Sequence, residues 1–241
     1  MSFNRWPFLT NNNTFRKFLS WTRRHLFEKR LQFHYPDLTI HVSRQAMLSI
    51  MGNLIHPGRF TLVTTNVDIT RQAVLGRGAQ RLANTPNGGG SSIYSEALSI
   101  ELLTRLLDVR LTKTETELAN RKKGGPLLDY ACQLYYPPIR KNISLAVSVT
   151  RAMSFNRSYT KEDASQLLIR KLNALEQAAS QHQFDRQILH IWAESGRNAA
   201  TVQKVCRRLN VTNNTIVLLT IVNTHLVFFN DNHHLIKKGK A

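Results

Sequence analysis

A chain of 241 residues with 42% hydrophobic side chains is long enough for one domain of ordinary size, with or without an extension. Lys and Arg number 33 against 15 Asp and Glu, a formal charge of +18. That balance is foreign to most soluble metabolic enzymes and makes a polyanion the expected partner, DNA or RNA first; a charge-neutralising ribosomal-type role and a membrane surface are the alternatives. Cys132 and Cys206 are the only cysteines, which excludes a disulfide framework and fits a reducing, intracellular compartment, nucleus or mitochondrion.

The first 35 residues hold Arg5, Arg16, Lys17, Arg23, Arg24, Lys29 and Arg30 against the single acid Glu28. Phe15, Phe18, Leu19, Thr22 and Leu26 recur at helical spacing, so a helix there has an apolar stripe beside a basic face. A mitochondrial targeting segment, a docked amphipathic helix and a basic arm all fit, and residues 1–58 are read as a basic N-terminal extension. The pattern over 35–58 is ambiguous apart from a short helix at 44–51, and 60–65 reads as a β-branched strand. Residues 68–81, with Gly76 and Gly78, read as an Arg-rich loop or broken helix, and Asn87 to Gly90 is a break.

Ser91 or Ser92 is expected to cap a largely buried helix over 93–108. Strands are then expected at 113–119, 127–134 and 143–151, followed by a helix opened by a capping box at Thr160 and Asp163. That helix has Ala164, Leu167, Leu168, Lys171, Leu172 and Leu175 on its buried stripe. A strand at 187–193, a helix at 198–209 and a strand at 215–222 complete residues 59–229 as one domain of order α-β-β-β-α-β-α-β. The longest apolar run, 215–229, is too short for a bilayer and contains Asn223, Thr224 and His225, so no integral membrane segment is expected. Residues 230–241 form a basic, solvated tail.

Acids arrive one at a time from successive elements: Glu96 on the first helix, Glu115 and Glu117 on the first strand, Asp129 on the second. On the helix, Glu96 shares an arc with Ile100, Leu103 and Leu107, whereas Glu101 lies toward Thr104, Arg105 and Asp108 and reads as a surface residue. An acid in the first helix and Pro126-Leu127-Leu128-Asp129 in a strand meander resemble the restriction-endonuclease-like PD-(D/E)XK nuclease superfamily. The resemblance implies an α/β fold, a mixed sheet flanked by helices around an α-β-β-β-α-β core. It further implies a Mg²⁺ or Mn²⁺ site and hydrolysis of a nucleic-acid phosphodiester, with Asp129 as the metal ligand; by their positions Glu96 and Glu117 are the further candidate ligands, and Asp129, Glu96, Lys171 and Arg151 the candidate catalytic set.

The third strand departs from that pattern: where the family carries an acid or Gln and then Lys, this chain has Ser148 and Thr150, with Arg151 one place on. Strand alternation puts Ser148 and Thr150 on one face and Arg151 on the other. Lys171, in the middle of an apolar stripe, is placed to enter the site from its helix, since an ammonium there needs a carboxylate or must snorkel. Arg71, Arg77, Arg81, Arg105, Arg121, Lys122 and Lys123 are the residues expected to track a phosphate backbone. The open alternatives to a metal-dependent phosphodiesterase are a catalytically inactive, nuclease-derived nucleic-acid-binding protein and a mitochondrial ribosome-associated RNA-binding component.

Overall fold

The computed structural model describes residues 30–56, 60–85, 93–118, 128–136, 141–209, 214–223, 228 and 236–238. They form a mixed α/β architecture around an eight-stranded sheet. In chain order the elements are β1 (Arg30–His34), β2 (Leu38–Ser43), α1 (Arg44–Ile55), β3 (Thr61–Ile69), β4 (Ala73–Leu75), α2 (Arg77–Ala83), α3 (Ile93–Leu107), β5 (Arg110–Thr114) and α4 (Glu115–Leu118). They continue with β6 (Tyr130–Tyr136), β7 (Lys141–Ala152), α5 (Lys161–His182), β8 (Arg186–Ala193), α6 (Gly196–Cys206), β9 (Thr215–Val222) and β10 (Ile236–Lys238).

The strand order is β1-β2-β3-β9-β8-β7-β6-β5, with β4 and β10 as a separate pair. The central strands β3, β9, β8 and β7 are parallel, and antiparallel pairs flank them on both sides. Burial on both faces explains why β8 and β9 read as continuous apolar runs while the outer β1 alternates. One core packs α1, α2 and α3 through Met47, Ile50, Leu82, Ile100 and Leu103. The other packs α5 and α6 through Leu168, Leu175, Ala199 and Val202. Among the described residues no helix is long and apolar enough to cross a membrane.

Several expectations are corrected. Residues 30–55, assigned to the extension, supply β1, β2 and α1 of the same sheet, because Leu31, Phe33, Leu38, Ile40 and Val42 alternate inward onto the core. The Arg-rich stretch at 68–81 contains β4 and α2. The strand expected at 113–119 stops at Thr114 and turns into α4. Its Thr-Glu-Thr-Glu alternation has no apolar face to bury, and the Glu117 carboxylate accepts the Thr114 N–H at 2.8 Å, closing a helical turn. Part of the tail is ordered as β10, parallel to β4 with Ile236 opposite Ala73. The targeting-type helix, the caps at Ser91 or Ser92 and the Gly-rich break lie outside the described residues.

The capping box that opens α5 is present as expected, with the Thr160 side chain accepting from the Asp163 N–H and the Asp163 carboxylate accepting from the Thr160 N–H. A chain of buried hydroxyls and an imidazole ties the elements of the α3 face together. Tyr130 bonds Ser99 at 2.7 Å, Ser99 bonds His190 Nδ1 at 2.6 Å, His190 Nε2 bonds Thr220 at 2.9 Å and Thr220 bonds Thr65 at 2.9 Å. Each member is satisfied, which is the condition for tolerating such groups in a core.

Candidate functional site

Asp129 stands immediately before β6. Because Tyr130 pairs with Val147 in antiparallel register, the next position back falls beside Ser148. Alternation turns Ser148 toward α5, onto the face where Ala146 and Ala152 are buried. There the Asp129 Oδ2 atom accepts from the Val149 N–H at 2.5 Å and from the Ser148 hydroxyl at 2.9 Å. Lys171 descends from α5 between Leu168 and Leu175, both buried, and places Nζ 3.4 Å from Ser148 Oγ and 4.0 Å from Asp129 Oδ2. Asp129 and Lys171 keep 17% and 25% of their side-chain surface, so this centre borders solvent. The mid-stripe lysine thus meets a carboxylate, as its position demands.

Glu96 and Arg151 belong to the other face. Glu96 lies in the first turn of α3 with 2% exposure, where the helix dipole favours an anion. Arg151 is half-buried and donates to the Phe228 carbonyl at 3.0 Å. Burial lowers its pKa, and the nearby Glu96 charge opposes that shift. Both Asp129 and Glu96 act electrostatically on Tyr130, whose phenol pKa is raised well above its ordinary value chiefly by burial. The separation of Ser148 from Arg151 follows the alternation expected for β7.

Glu117 is placed elsewhere. Its carboxylate is exposed and accepts from the Arg81 Nη2 group on both oxygens, at 2.5 and 2.7 Å. The Thr114 N–H, then Arg81, hold its pKa below the usual carboxylate range. Among the described residues no three His, Cys, Asp or Glu side chains gather where a metal ion could be held, so the expected Asp129, Glu96 and Glu117 ligand set is not assembled. The donor set that remains is Asp129, whose Oδ1 atom takes no part in the contacts above. Mg²⁺ accepts one or two carboxylates with waters and phosphate oxygens completing its shell, so a single-carboxylate site fits this geometry and a three-acid site does not.

The basic residues also sort themselves. Arg71 and Arg77 are exposed. Arg81 is committed to Glu117, and Arg121, Lys122 and Lys123 lie outside the described residues. Arg105 is removed from the phosphate-tracking set, because its guanidinium is bound at 2.6 and 2.9 Å to Asp37 and at 2.7 Å to Glu101. It also stacks 4.8 Å above the Tyr35 ring. Glu101 is therefore buried, and it accepts the Gly76 N–H at 2.6 Å. A Cβ at position 76 would stand 3.2 Å from that same oxygen, a tight approach that the Glu101 carboxylate would have to yield to.

Sequence reasoning missed Ser148 as a member of the centre, although its place on the strand face was the available signal. It also missed Asp37, which lies far from Arg105 along the chain.

No family model matches the chain, and no solved structure matches it. Over 132 residues the chain is 35% identical to the AAC-rich mRNA clone AAC4 protein of Dictyostelium discoideum. The matched stretch is 51% of this chain and 18% of that protein, so the chain spans less than a fifth of the relative's length.

Proposed function

We propose that this chain is a divergent member of the PD-(D/E)XK superfamily, with a restriction-endonuclease-like core, and that it cleaves phosphodiester bonds in DNA or RNA with Mg²⁺ or Mn²⁺. The observation that carries this reading is the arrival of Lys171 at Asp129 and Ser148. A lysine delivered from α5 takes the place that Thr150 leaves empty on the third strand. The succession α3-β5-β6-β7-α5-β8, with α3 and α5 on opposite faces of the sheet, supports it as well. The charge of +18 supports a nucleic-acid substrate.

In this reading Asp129 is the residue that would hold the metal, its Oδ2 atom being fixed by the Val149 amide and the Ser148 hydroxyl. A bound Mg²⁺ or Mn²⁺ would supply an acidified water and charge neutralisation at the phosphate. Lys171 orients the attacking water or stabilises the charge that develops on the phosphate oxygens. Ser148 keeps the carboxylate and the ammonium in register. Glu96 and Arg151 lie on the α3 side, where the Glu96 charge acts on the Arg151 guanidinium.

The test is incubation of the purified protein with labelled single- and double-stranded DNA and RNA in Mg²⁺ or Mn²⁺, beside Asp129→Asn and Lys171→Met. Cleavage by the parent protein is expected, with a loss of about a hundredfold or more in each variant, the scale for removing one preorganised electrostatic group. A second reading, a nuclease-derived protein that binds nucleic acid without cutting it, is favoured by one observation: Ser148 stands where the superfamily carries an acid. Binding without cleavage in the parent and both variants would establish that reading and sink the first.

A further inference from the structure

The sheet is covered unevenly on its α5 side. There α5 packs on β7 and β8, and α6 packs beside it toward β9. On β3, Leu62 packs against the same core, so the even-numbered residues of that strand share this face. Gln203 of α6 donates to the Thr64 hydroxyl at 2.6 Å and marks where that helix meets β3. Past that contact the face opens: Gln32, His34 and Asn66 are exposed, and Thr39, His41 and Asp68 are half-exposed. Register places these six together, since Gln32, His41 and Asn66 stand opposite one another across β1, β2 and β3, as do His34, Thr39 and Asp68. The alternate residues Phe33, Ile40 and Val67 turn into the core on the other side.

The open face is a floor of neutral donors and acceptors. Its one carboxylate, Asp68, accepts from His41 Nε2 at 2.8 Å, and His34 Nδ1 lies 3.3 Å from the Thr39 hydroxyl. Two interstrand spacings make the floor about 10 Å wide. The flank of α6 that carries Gln203 walls it on one side. Lys204 follows Gln203 directly and Arg207 stands one helical turn beyond it, its N–H bonded to the Gln203 carbonyl at 3.1 Å. Both are exposed, and among the described residues neither joins a salt bridge. A cationic wall beside a polar floor suits one phosphate backbone with its bases laid to one side, where amides and imidazoles can bond their edges. A duplex keeps its base edges in grooves that admit a helix or a two-stranded ribbon, and a three-stranded floor walled by a helix enters neither.

We propose that the open face of β1, β2 and β3 binds single-stranded nucleic acid, its phosphates along Lys204 and Arg207 and its bases hydrogen-bonded to Gln32, His34 and Asn66. The site discriminates among bases, which the charge of the whole molecule cannot do. It lies on the same face of the sheet as the Asp129 centre, across α6 and α5. It rests on the nucleic-acid reading above and is independent of whether that centre cuts.

The experiment is binding of the full chain to fluorescein-labelled single-stranded homopolymers, as DNA and as RNA, and to a duplex, in EDTA, read by anisotropy over a series of salt concentrations. Lys204→Gln with Arg207→Gln is expected to weaken single-strand binding and to reduce the salt slope by about 1.4, the share of two phosphate contacts on a single strand. Lys204→Arg with Arg207→Lys keeps the parent slope. Gln32→Ala with Asn66→Ala is expected to keep the slope, to weaken the preferred homopolymer about tenfold, the scale of two lost hydrogen bonds, and to leave duplex binding within about twofold. Differences among homopolymers shrink in the same variant. If that variant binds every single strand as the parent does, or weakens single strand and duplex alike, or if the Lys204→Gln, Arg207→Gln protein keeps the parent slope, the open face is not the site and the nucleic-acid reading stands. If the parent protein binds no oligonucleotide, both fall. All four positions are exposed, and thermal melting of each variant separates a binding effect from lost structure.

Discussion

His190 lies at the centre of the buried hydroxyl chain, bonded through one nitrogen to Ser99 and through the other to Thr220. Burial pushes its pKa down from 6.5 to about 3, so the folded protein keeps the imidazole neutral where the unfolded chain takes up a proton. Its contribution is complete above the unfolded pKa and is lost as pH falls from about 6.5 toward 3, at a limiting slope of about 1.4 kcal/mol per pH unit. Urea midpoints at pH 7 and pH 4.5 should differ strongly for the parent protein. Against the parent, His190→Gln should show a smaller difference and a lower midpoint at pH 7. An unchanged pH dependence in the variant would place the acid sensitivity elsewhere. At the same scale, the proposed cleavage depends on Lys171, whose Nζ stands 4.0 Å from Asp129 Oδ2.

Among the elements, β4, α3 and the β1–β2 turn are fastened by Asp37, Arg105 and Glu101. Arg105 also donates to the Val74 carbonyl at 2.7 Å, and Asp37 accepts from the Val74 N–H at 2.8 Å, so one guanidinium bridges three segments. Both carboxylates are buried, and the Arg105 side chain is only 11% exposed. Arg105→Met leaves two acids without their cation and should cost about 3–5 kcal/mol, read as a fall in the midpoint of chemical denaturation. A variant within 1 kcal/mol of the parent would show that solvent reaches these acids freely. At the start of α5, Asp163→Ala removes the capping box and both Arg157 bonds. A loss of about 1 kcal/mol is expected.

For the whole molecule, the excess of positive charge predicts binding to polyanions that weakens steeply with salt. The logarithm of the binding constant should fall linearly with the logarithm of salt concentration, and Arg71→Gln with Arg77→Gln should make the line shallower. Affinity that is flat between low and physiological salt would remove phosphate contact as the basis of binding. The geometry also divides the molecule by face. The Asp129 centre belongs to the α5 side of the sheet, whereas β4, α2 and β10 belong to the α3 side.

What the sequence determined by itself is what local chemistry dictates. Alternation along β7 separated Ser148 from Arg151, helical periodicity put Lys171 on a buried stripe, and Thr160 with Asp163 announced the start of α5. Continuous apolar runs marked β8 and β9. What only the tertiary structure decided is where charges found partners distant in the chain. Glu117 looked like a ligand until Arg81 took it, Arg105 looked like a phosphate contact until Asp37 and Glu101 took it, and residues 30–55 looked like an extension until their alternation met β3. Pattern along a chain records which face a side chain occupies. Whether an ion pair forms across 36 or 68 residues depends on the packing of whole elements, and no local spacing encodes that.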